Sequence, residues 1–515
     1  GSFSSLLTSL YVKSLKNKFV SQIQYNSSNK NIKDDSQIST DILLIVPTEK
    51  DELSIIQDLN TFVEGAEIIN FPWWQTVPYR CCPIGSITFG KRAGALSKLA
   101  MPDTRQVASK KSRIFIMNQR AFLTPVPPPE YIRKNSFSLE IGQSIDTIQI
   151  ANNLIKLGYI RVPKVTVPGE FTLRGEVLDI FLPCDENPYR IVFDFDQIEN
   201  IKTFSTENQS TINSVEKIII YPSKEILWES ELIDEIEKKL KPVFAEKKKL
   251  YETLNTVQTQ STQSLLDKFE TLLIHLDESQ QAEGEELLYP ALFDKQYSVL
   301  DYINSNTTVF YFDYDRLLNS KESLDREYMG LYKKSRFDEL VLSPEKILFD
   351  FEKLSKNHNQ NIYFKSIHTE TEQQQKLKSK NIIKFELDPA RSFFGNINYL
   401  KEQLSNFLKE NWKIFIFTNS ETQNLRISEI LKEFLLPEKN NFIKLIPEQI
   451  SSGFAIPEEK ILVIQENEIF GRKKHIPKSL HKVKSAVIDT FVDLNPGDYI
   501  VHVNYGIGIF KGIER

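Results

Sequence analysis

The chain has 515 residues, of which 40% are hydrophobic and 26% charged, and its formal net charge is -5 at pH 7. It is too long for a single hydrophobic core, so we expect three or more domains, and its charge gives no overall attraction to nucleic acid. Cys81, Cys82 and Cys184 form no CxxC pair, so we expect reduced thiols. No apolar run approaches the length of a membrane span, so we expect no membrane partner.

The first 120 residues alternate helical and strand-like patterns. Thr48 is positioned to cap a helix whose Leu53, Ile56, Leu59 and Val63 would face inward. Alternation of this kind is typical of a parallel sheet with helices on its faces. The predicted elements are helices over 5–24, 51–63 and 91–99 and strands over 42–46, 67–70 and 113–117.

Residues 85–92, GSITFGKR, form the only stretch that approaches a phosphate-binding loop. Such a loop needs a Ser or Thr hydroxyl after its Lys to bind magnesium, and Arg92 stands in that place. The stretch also follows a loop with prolines and cysteines, where a buried strand is required. We therefore expect no ATP site here.

Prolines between 125 and 129 end the first region, and Ser144 is positioned to cap a helix over 145–157 that Gly158 closes. A β-meander follows over 169–201, and we interpret Arg174-Gly175 as a bulge within its first strand. Arg190 would begin the facing strand. Two guanidiniums on one rigid sheet form a recognition surface for carboxylates or phosphates, although both could equally be solvated surface arginines.

The meander resembles a segment shared by bacterial transcription-repair coupling factors (Mfd) and the excision-repair helicase subunit UvrB, with the pattern GEF-x-x-RG-x-x-LDIF followed by YR. The resemblance implies a small domain that binds the damage-recognition ATPase UvrA, with Arg174, Arg190, Phe193, Asp194 and Phe195 as contact residues. Some coupling factors place a contacting Phe where this chain has Asp194, so the contact would be shifted to Phe195 or weakened. The matched positions are Gly169, Glu170, Phe171, Arg174, Gly175, Leu178, Asp179, Ile180, Phe181, Tyr189, Arg190, Phe193, Ile198 and Glu199.

The resemblance extends to residues 74–79, WQTVPY, and to residues 468–471, EIFG, and it implies a RecA-like fold. In the family a degenerate phosphate loop precedes the first helix, so residues 1–5 would be its remnant, without the Lys. The DNA-wedging hairpin of UvrB has no room between Asn70 and Lys91. Trp73 and Trp74 could stack on nucleic-acid bases or pack inside the protein.

Beyond the meander, 353–381 is polar and suggests an exposed connection around one short strand, and a second α/β unit begins near 396. The basic run over 472–484 could be an exposed linker or a nucleic-acid contact. The other predicted elements are helices over 222–244, 260–275, 396–409 and 421–434 and strands over 308–312, 362–364, 413–417, 442–446 and 460–464.

Residues 494–512 resemble the start of the Tudor-like RNA-polymerase-interacting domain shared with CarD regulators. The resemblance implies binding to the polymerase β subunit once the domain is complete, with strands that we expect to lie beyond Arg515. The residues of this start are Asp498, Val501, His502, Gly506 and Gly508.

We therefore expect an α/β multidomain fragment, monomeric and cytoplasmic, that recruits UvrA and carries no catalysis or cofactor of its own. The family resemblance implies that ATP, magnesium and double-stranded DNA are bound by a translocase motor of the intact protein. The alternatives are an active UvrB-like helicase subunit, which the missing phosphate loop opposes, and a CarD-like regulator, which accounts only for the last residues. The expected domains are 1–130 and 223–350 as two parts of a degenerate RecA-like domain, 131–222 as the UvrA-binding α+β domain, 351–395 as a linker, 396–470 as a small α/β domain, 471–492 as a basic connector and 493–515 as the start of the polymerase-interacting barrel.

Overall fold

A computed structural model shows two compact units, Gly1–Arg472 and Lys473–Arg515. No helix in the described part of the chain is long and apolar enough to cross a membrane. The structure describes residues 1–28, 41–75, 79, 86–101, 112–253, 259–335, 341–365, 382–389, 391–435, 442–471, 499–502 and 506–509.

The first part of the larger unit confirms the predicted alternation of helices and strands. Thr48 caps α2 as expected, since its side chain accepts a hydrogen bond from the Asp51 backbone N–H. The inward face of α2 differs from the prediction, because Glu52 and Asp58 are buried there and find polar partners, while Leu53 and Ile56 are only half-buried. The elements are α1 (Ser2–Ser28), β1 (Asp41–Val46), α2 (Glu49–Phe62), β2 (Ala66–Asn70), α3 (Ser86–Ala100), β3 (Ser112–Asn118), α4 (Gln119–Leu123) and α5 (Pro129–Lys134).

The next part is a small α+β region with a two-stranded and a six-stranded sheet. Strands β4 and β11 form the first, and the second has the order β10-β9-β8-β7-β6-β5, with α6 packed on its apolar face. Asp146, and not Ser144, caps α6, because its carboxylate accepts hydrogen bonds from two N–H groups of the first turn. The elements are β4 (Phe137–Glu140), α6 (Thr147–Lys156), β5 (Ile160–Arg161), β6 (Glu170–Arg174), β7 (Val177–Ile180), β8 (Tyr189–Asp194), β9 (Gln197–Phe204), β10 (Thr211–Val215) and β11 (Lys217–Ile220).

The chain then returns to complete the first sheet, whose five parallel strands have the order β13-β12-β1-β3-β2. The helix predicted from 222 begins only at Ser230. The residues predicted as a linker from 351 onward begin instead with a buried helix and an edge strand of this sheet. The elements are α7 (Ser230–Thr253), α8 (Thr259–Ser279), α9 (Tyr289–Leu292), β12 (Thr308–Tyr311), α10 (Tyr314–Ser335), α11 (Pro344–Ile347), α12 (Phe351–Ser355) and β13 (Asn361–Tyr363).

The last α/β part of the larger unit has a mixed five-stranded sheet of order β14-β17-β18-β15-β16. The predicted helix and strands are present, and two short antiparallel strands, β14 and β17, extend one edge. The elements are β14 (Asp388–Pro389), α13 (Ile397–Lys409), β15 (Lys413–Phe417), α14 (Glu421–Ile430), β16 (Ile443–Ile446), β17 (Phe454–Ile456), β18 (Ile461–Gln465) and α15 (Glu466–Phe470).

The smaller unit contains one described hairpin of antiparallel strands, β19 (Tyr499–His502) and β20 (Gly506–Ile509). Val501 pairs with Ile507, His502 with Gly506, and Gly508 with Ile500. Both strands lie within residues 494–512, the segment in which the sequence shows a resemblance. Asp498 and the basic run over 472–484 lie outside the described residues.

Candidate protein-binding surface

The six-stranded sheet places Arg174 and Arg190 on one face, as the sequence predicted. Strand β7 lies between their strands: Arg174 is opposite Val177, and Asp179 is opposite Arg190. Paired residues share a face, and so do residues two apart along a strand, so both arginines and Asp179 point the same way. The two arginines are therefore not on neighbouring strands, and a buried carboxylate stands between them.

Asp179 engages Arg190 through both oxygens. The Arg190 Nε and Nη2 atoms donate to Asp179 Oδ1 and Oδ2 at 2.7 and 2.8 Å, and Nη2 also donates to Gln209 Oε1 at 3.0 Å. The guanidinium carbon lies 4.4 Å from the centroid of the Phe204 ring. The hydrogen bonds to Asp179 raise the pKa of Arg190. Because Nε and Nη2 donate to groups of the same domain, Arg190 has fewer free donors for a partner than the predicted recognition surface assumed.

Arg174 is far more accessible to a binding partner than Arg190. Its side chain is 63% exposed, and Nη2 lies 3.9 Å from Asp179 Oδ2, which is 3% exposed. The distance exceeds a hydrogen bond, so the attraction positions the guanidinium loosely and leaves its donors accessible.

The bulge predicted at Arg174-Gly175 is wrong, because these residues begin a tight turn. The register leaves Gly175 and Glu176 as a two-residue loop between β6 and β7, and Gly175 has φ +57°, which a glycine adopts without strain. The Phe193 backbone N–H donates to Glu176 O at 2.8 Å. This bond joins the β6–β7 turn to the end of β8, which leads into the β8–β9 turn at the same end of the sheet.

The β8–β9 turn exposes an aromatic ring. Asp194 pairs with Gln197, which leaves Phe195 and Asp196 as the loop. Phe195 has φ +52° and is 82% exposed, whereas Phe193 is 1% exposed. A bulky residue at positive φ is a true conformational outlier. Phe195 is therefore the exposed aromatic residue of this turn and Phe193 is a core residue, while Asp194 is exposed beside the turn.

Arg92, the residue that interrupts the phosphate-loop pattern, is part of a buried ion pair. The described residues of that stretch, 86–92, are helical in α3. Arg92 Nε and Nη2 donate to Glu225 Oε2 and Oε1 at 2.7 and 3.0 Å, and the guanidinium lies over Trp74, which is 5% exposed. Trp74 thus has the packing role and not the stacking role. In the described ranges, no group of three or more His, Cys, Asp or Glu side chains is placed to hold a metal ion.

The residues predicted as a phosphate-loop remnant form the start of α1. Ser2 and Ser5 there donate hydrogen bonds to the Asp58 carboxylate at 3.2 and 3.3 Å, and Ser451 Oγ donates to it at 2.6 Å. Burial raises the pKa of Asp58. This end of the helix is therefore occupied by a side chain of the protein itself.

Sequence reasoning missed Asp179, Phe204 and Gln209, which hold Arg190. Asp179 stood in the matched pattern but received no role of its own. The signal was available in its position, because an acid between Leu178 and Ile180 in a strand faces away from the apolar side and requires a cation if it is buried.

A family model described as the UvrB interaction domain matches residues 137–226, and one described as the CarD-like/TRCF RID domain matches residues 494–515. A protein of Borreliella burgdorferi named transcription-repair-coupling factor is 30% identical over 476 residues, which cover 92% of this chain and 38% of that protein. Proteins of the same name from Bacillus subtilis and Staphylococcus aureus are each 24% identical, over 92% and 93% of this chain and 40% of their own length. The chain thus spans about two fifths of the length of these relatives.

Proposed function

We propose that this chain, which is homologous to transcription-repair-coupling factors over 92% of its length, is the N-terminal, non-catalytic portion of such a factor. Its role is to recruit the excision-repair protein UvrA to DNA lesions at which RNA polymerase has stalled. The proposal rests on the small domain, because the region that matches the UvrB interaction domain carries an exposed arginine and an exposed, conformationally unusual aromatic at one end of its sheet.

The other domains are assigned within the same proposal. The parallel sheet β13-β12-β1-β3-β2 supports a degenerate RecA-like domain, and the helical state of residues 86–92 with the Arg92–Glu225 pair supports its lack of nucleotide chemistry. The hairpin of β19 and β20 supports the start of a Tudor-like barrel that binds the RNA polymerase β subunit when complete. ATP, magnesium and double-stranded DNA would be bound by the translocase motor of the intact protein. We propose that the chain works as a monomer in the bacterial cytoplasm.

The proposed contact is tested by Arg174→Ala in a titration of the chain with purified UvrA. Truncating an arginine that pairs with a carboxylate at a buried interface costs about 2–5 kcal/mol of binding free energy. At about 1.4 kcal/mol per decade, UvrA should bind roughly 30-fold more weakly or worse. Because Arg174 is exposed, the melting temperature should stay the same.

Arg161→Ala is the matched control. Arg161 is an exposed arginine of the same sheet, on the edge strand β5, and it is not part of the Asp179 network. UvrA affinity should be unchanged in this variant. Equal affinity for UvrA in wild type and Arg174→Ala would refute the assignment of this face.

Arg190 is unsuited to the same test, because its guanidinium pairs with a buried carboxylate of the same sheet. Truncation would leave Asp179 buried without its bidentate partner, and breaking a buried pair in this way costs about 3–5 kcal/mol of stability. A loss of UvrA binding in Arg190→Ala would therefore combine a binding effect with a folding effect.

A further inference from the structure

The turn that carries Phe195 is hydrogen-bonded to the loop that leads into α6. Ile145 N donates to Asp196 O at 2.7 Å, and Gly142 N donates to Ile198 O at 2.8 Å. Gln197 Nε2 returns a bond to Gly142 O at 3.0 Å. The loop over 141–145 and the Phe195 turn therefore form one rigid edge of the small domain.

This edge presents three large apolar side chains to solvent. Phe195 is 82% exposed in the turn, Ile141 is exposed at the start of the loop, and Ile148, in the first turn of α6, is 70% exposed. The position of Ile148 is fixed by the helix cap, since its N–H donates to Asp146 Oδ1 at 2.8 Å. The core of the domain uses the other side of α6, namely Ile150, Ala151 and Leu154. We call Phe195, Ile141 and Ile148 the apolar tip.

The segments that carry the apolar tip, and the turn next to them, also carry exposed acids. Asp194 and Asp196 flank Phe195, Asp146 lies two residues before Ile148, and Glu176 is in the turn that is bonded to Phe193. Apolar surface with a charged rim is typical of a protein interface, where the centre is desolvated and the rim sets orientation and partner choice. The negative rim requires a partner surface with lysines or arginines around an apolar centre.

We propose that the binding surface continues from Arg174 around this end of the sheet to the apolar tip, and that UvrA covers the tip with apolar side chains ringed by basic ones. This inference rests on the proposed function, because it takes UvrA as the partner. The arginine face leads to the tip along this end of the sheet, since Glu176 O, in the turn that follows Arg174, accepts from Phe193 N–H, two residues before Phe195.

The test compares two isoleucines of one helix. Ile148→Ser removes an apolar group from the tip, and Ile155→Ser removes the same group seven residues later on α6, about 10 Å along the axis, where the side chain is 53% exposed. UvrA affinity is measured by biolayer interferometry with the full chain, and Arg174→Ala is run in parallel. Ile148→Ser should weaken binding about tenfold, as expected for losing one buried aliphatic side chain, and Ile155→Ser should change it less than twofold.

The rim is tested by Asp194→Asn with Asp196→Asn. Neutralising both acids should slow association with UvrA several-fold at low salt and flatten the dependence of the association rate on salt. An unchanged association rate would overturn the assignment of a basic partner surface.

The outcomes separate this inference from the proposed function. Weak binding by Arg174→Ala together with wild-type binding by Ile148→Ser would overturn the extension and leave the proposed function in place. Unchanged binding by both variants would overturn both. Equal losses in Ile148→Ser and Ile155→Ser would overturn the assignment of the contact to the tip. If sedimentation shows a wild-type dimer that Ile148→Ser dissociates without any change in UvrA affinity, the tip is a contact between copies and the inference is wrong.

Discussion

Replacing Phe195 by Gly should separate stability from binding. The ring is 82% exposed, so folding removes only about 18% of its surface from water. With about 200 Å² of surface for a Phe side chain, the loss is about 35 Å², or about 0.9 kcal/mol. Glycine also increases the entropy of the unfolded chain, which costs about 0.5–1 kcal/mol. Against these losses, Gly relieves the positive φ of +52°, which costs a bulky residue about 1–3 kcal/mol.

These terms nearly cancel, so the free energy of unfolding should stay within about 1 kcal/mol of the wild type. Binding should change far more, because an aromatic anchor at the centre of an interface contributes about 2 kcal/mol or more. UvrA affinity should therefore fall at least about 30-fold. Denaturant titration gives the first quantity and interferometry with UvrA gives the second.

Phe195→Asn is the companion variant, because Asn also tolerates positive φ and removes the ring without adding glycine flexibility. It should bind as weakly as Phe195→Gly. If both variants bind UvrA like the wild type, the exposed ring has no part in the contact. If both variants instead unfold several kcal/mol more easily, Phe195 is a structural residue and the reasoning from its exposure fails.

Two further predictions concern the larger unit. Burial raises the pKa of Glu52 from 4.5 to about 7, so the folded state binds this proton more tightly and the free energy of unfolding should fall as the pH rises from 4.5 to 7. Glu52→Gln keeps an acceptor for Asn118 Nδ2 and should match the wild type at pH 5. At pH 8 this variant should be more stable than the wild type by on the order of 3 kcal/mol in urea titrations. Gly94→Ala should lower the free energy of unfolding by about 1–3 kcal/mol in thermal unfolding, because its Cβ would clash with Cys184 Cβ. Gly330→Ala, with open space around its Cβ in α10, should raise it by about 0.5–1 kcal/mol. A Glu52→Gln variant with unchanged pH dependence, or equal effects of the two alanines, would contradict these estimates.

Hydrophobic periodicity predicted the elements of this chain well where apolar residues decide the structure. The run at 42–46 became β1, with every residue from Ile42 to Val46 buried, and the helix over 396–409 was displaced by a single residue at its start. Such segments are governed by local pattern, which the sequence displays directly.

The predictions failed where a polar residue depends on a distant partner. The inward side of α2 includes Glu52 and Asp58, because Asn118 and Ser451 lie against them, and both partners are far away in sequence. The strand predicted over 362–364 was placed in a linker, because its membership of the first sheet follows only from its pairing with β12. The internal partner of Arg190 was missed, because only the strand register places Asp179 opposite this arginine.

The contacts at the start of α1 argue against a phosphate-binding site at this place. The hydroxyls of Ser2 and Ser5, which could bind an anion at a helix N-terminus, donate hydrogen bonds to the Asp58 carboxyl group instead. A phosphate at this position would place a second negative charge against a buried carboxylate, which the low dielectric of the interior strongly disfavours. Asp58 also binds Ser451 of the last α/β part, and nearby Thr61 Oγ1 donates to Gln449 O at 2.7 Å. These hydroxyls therefore help to join two parts of the larger unit, and a phosphate bound here would have to break those contacts.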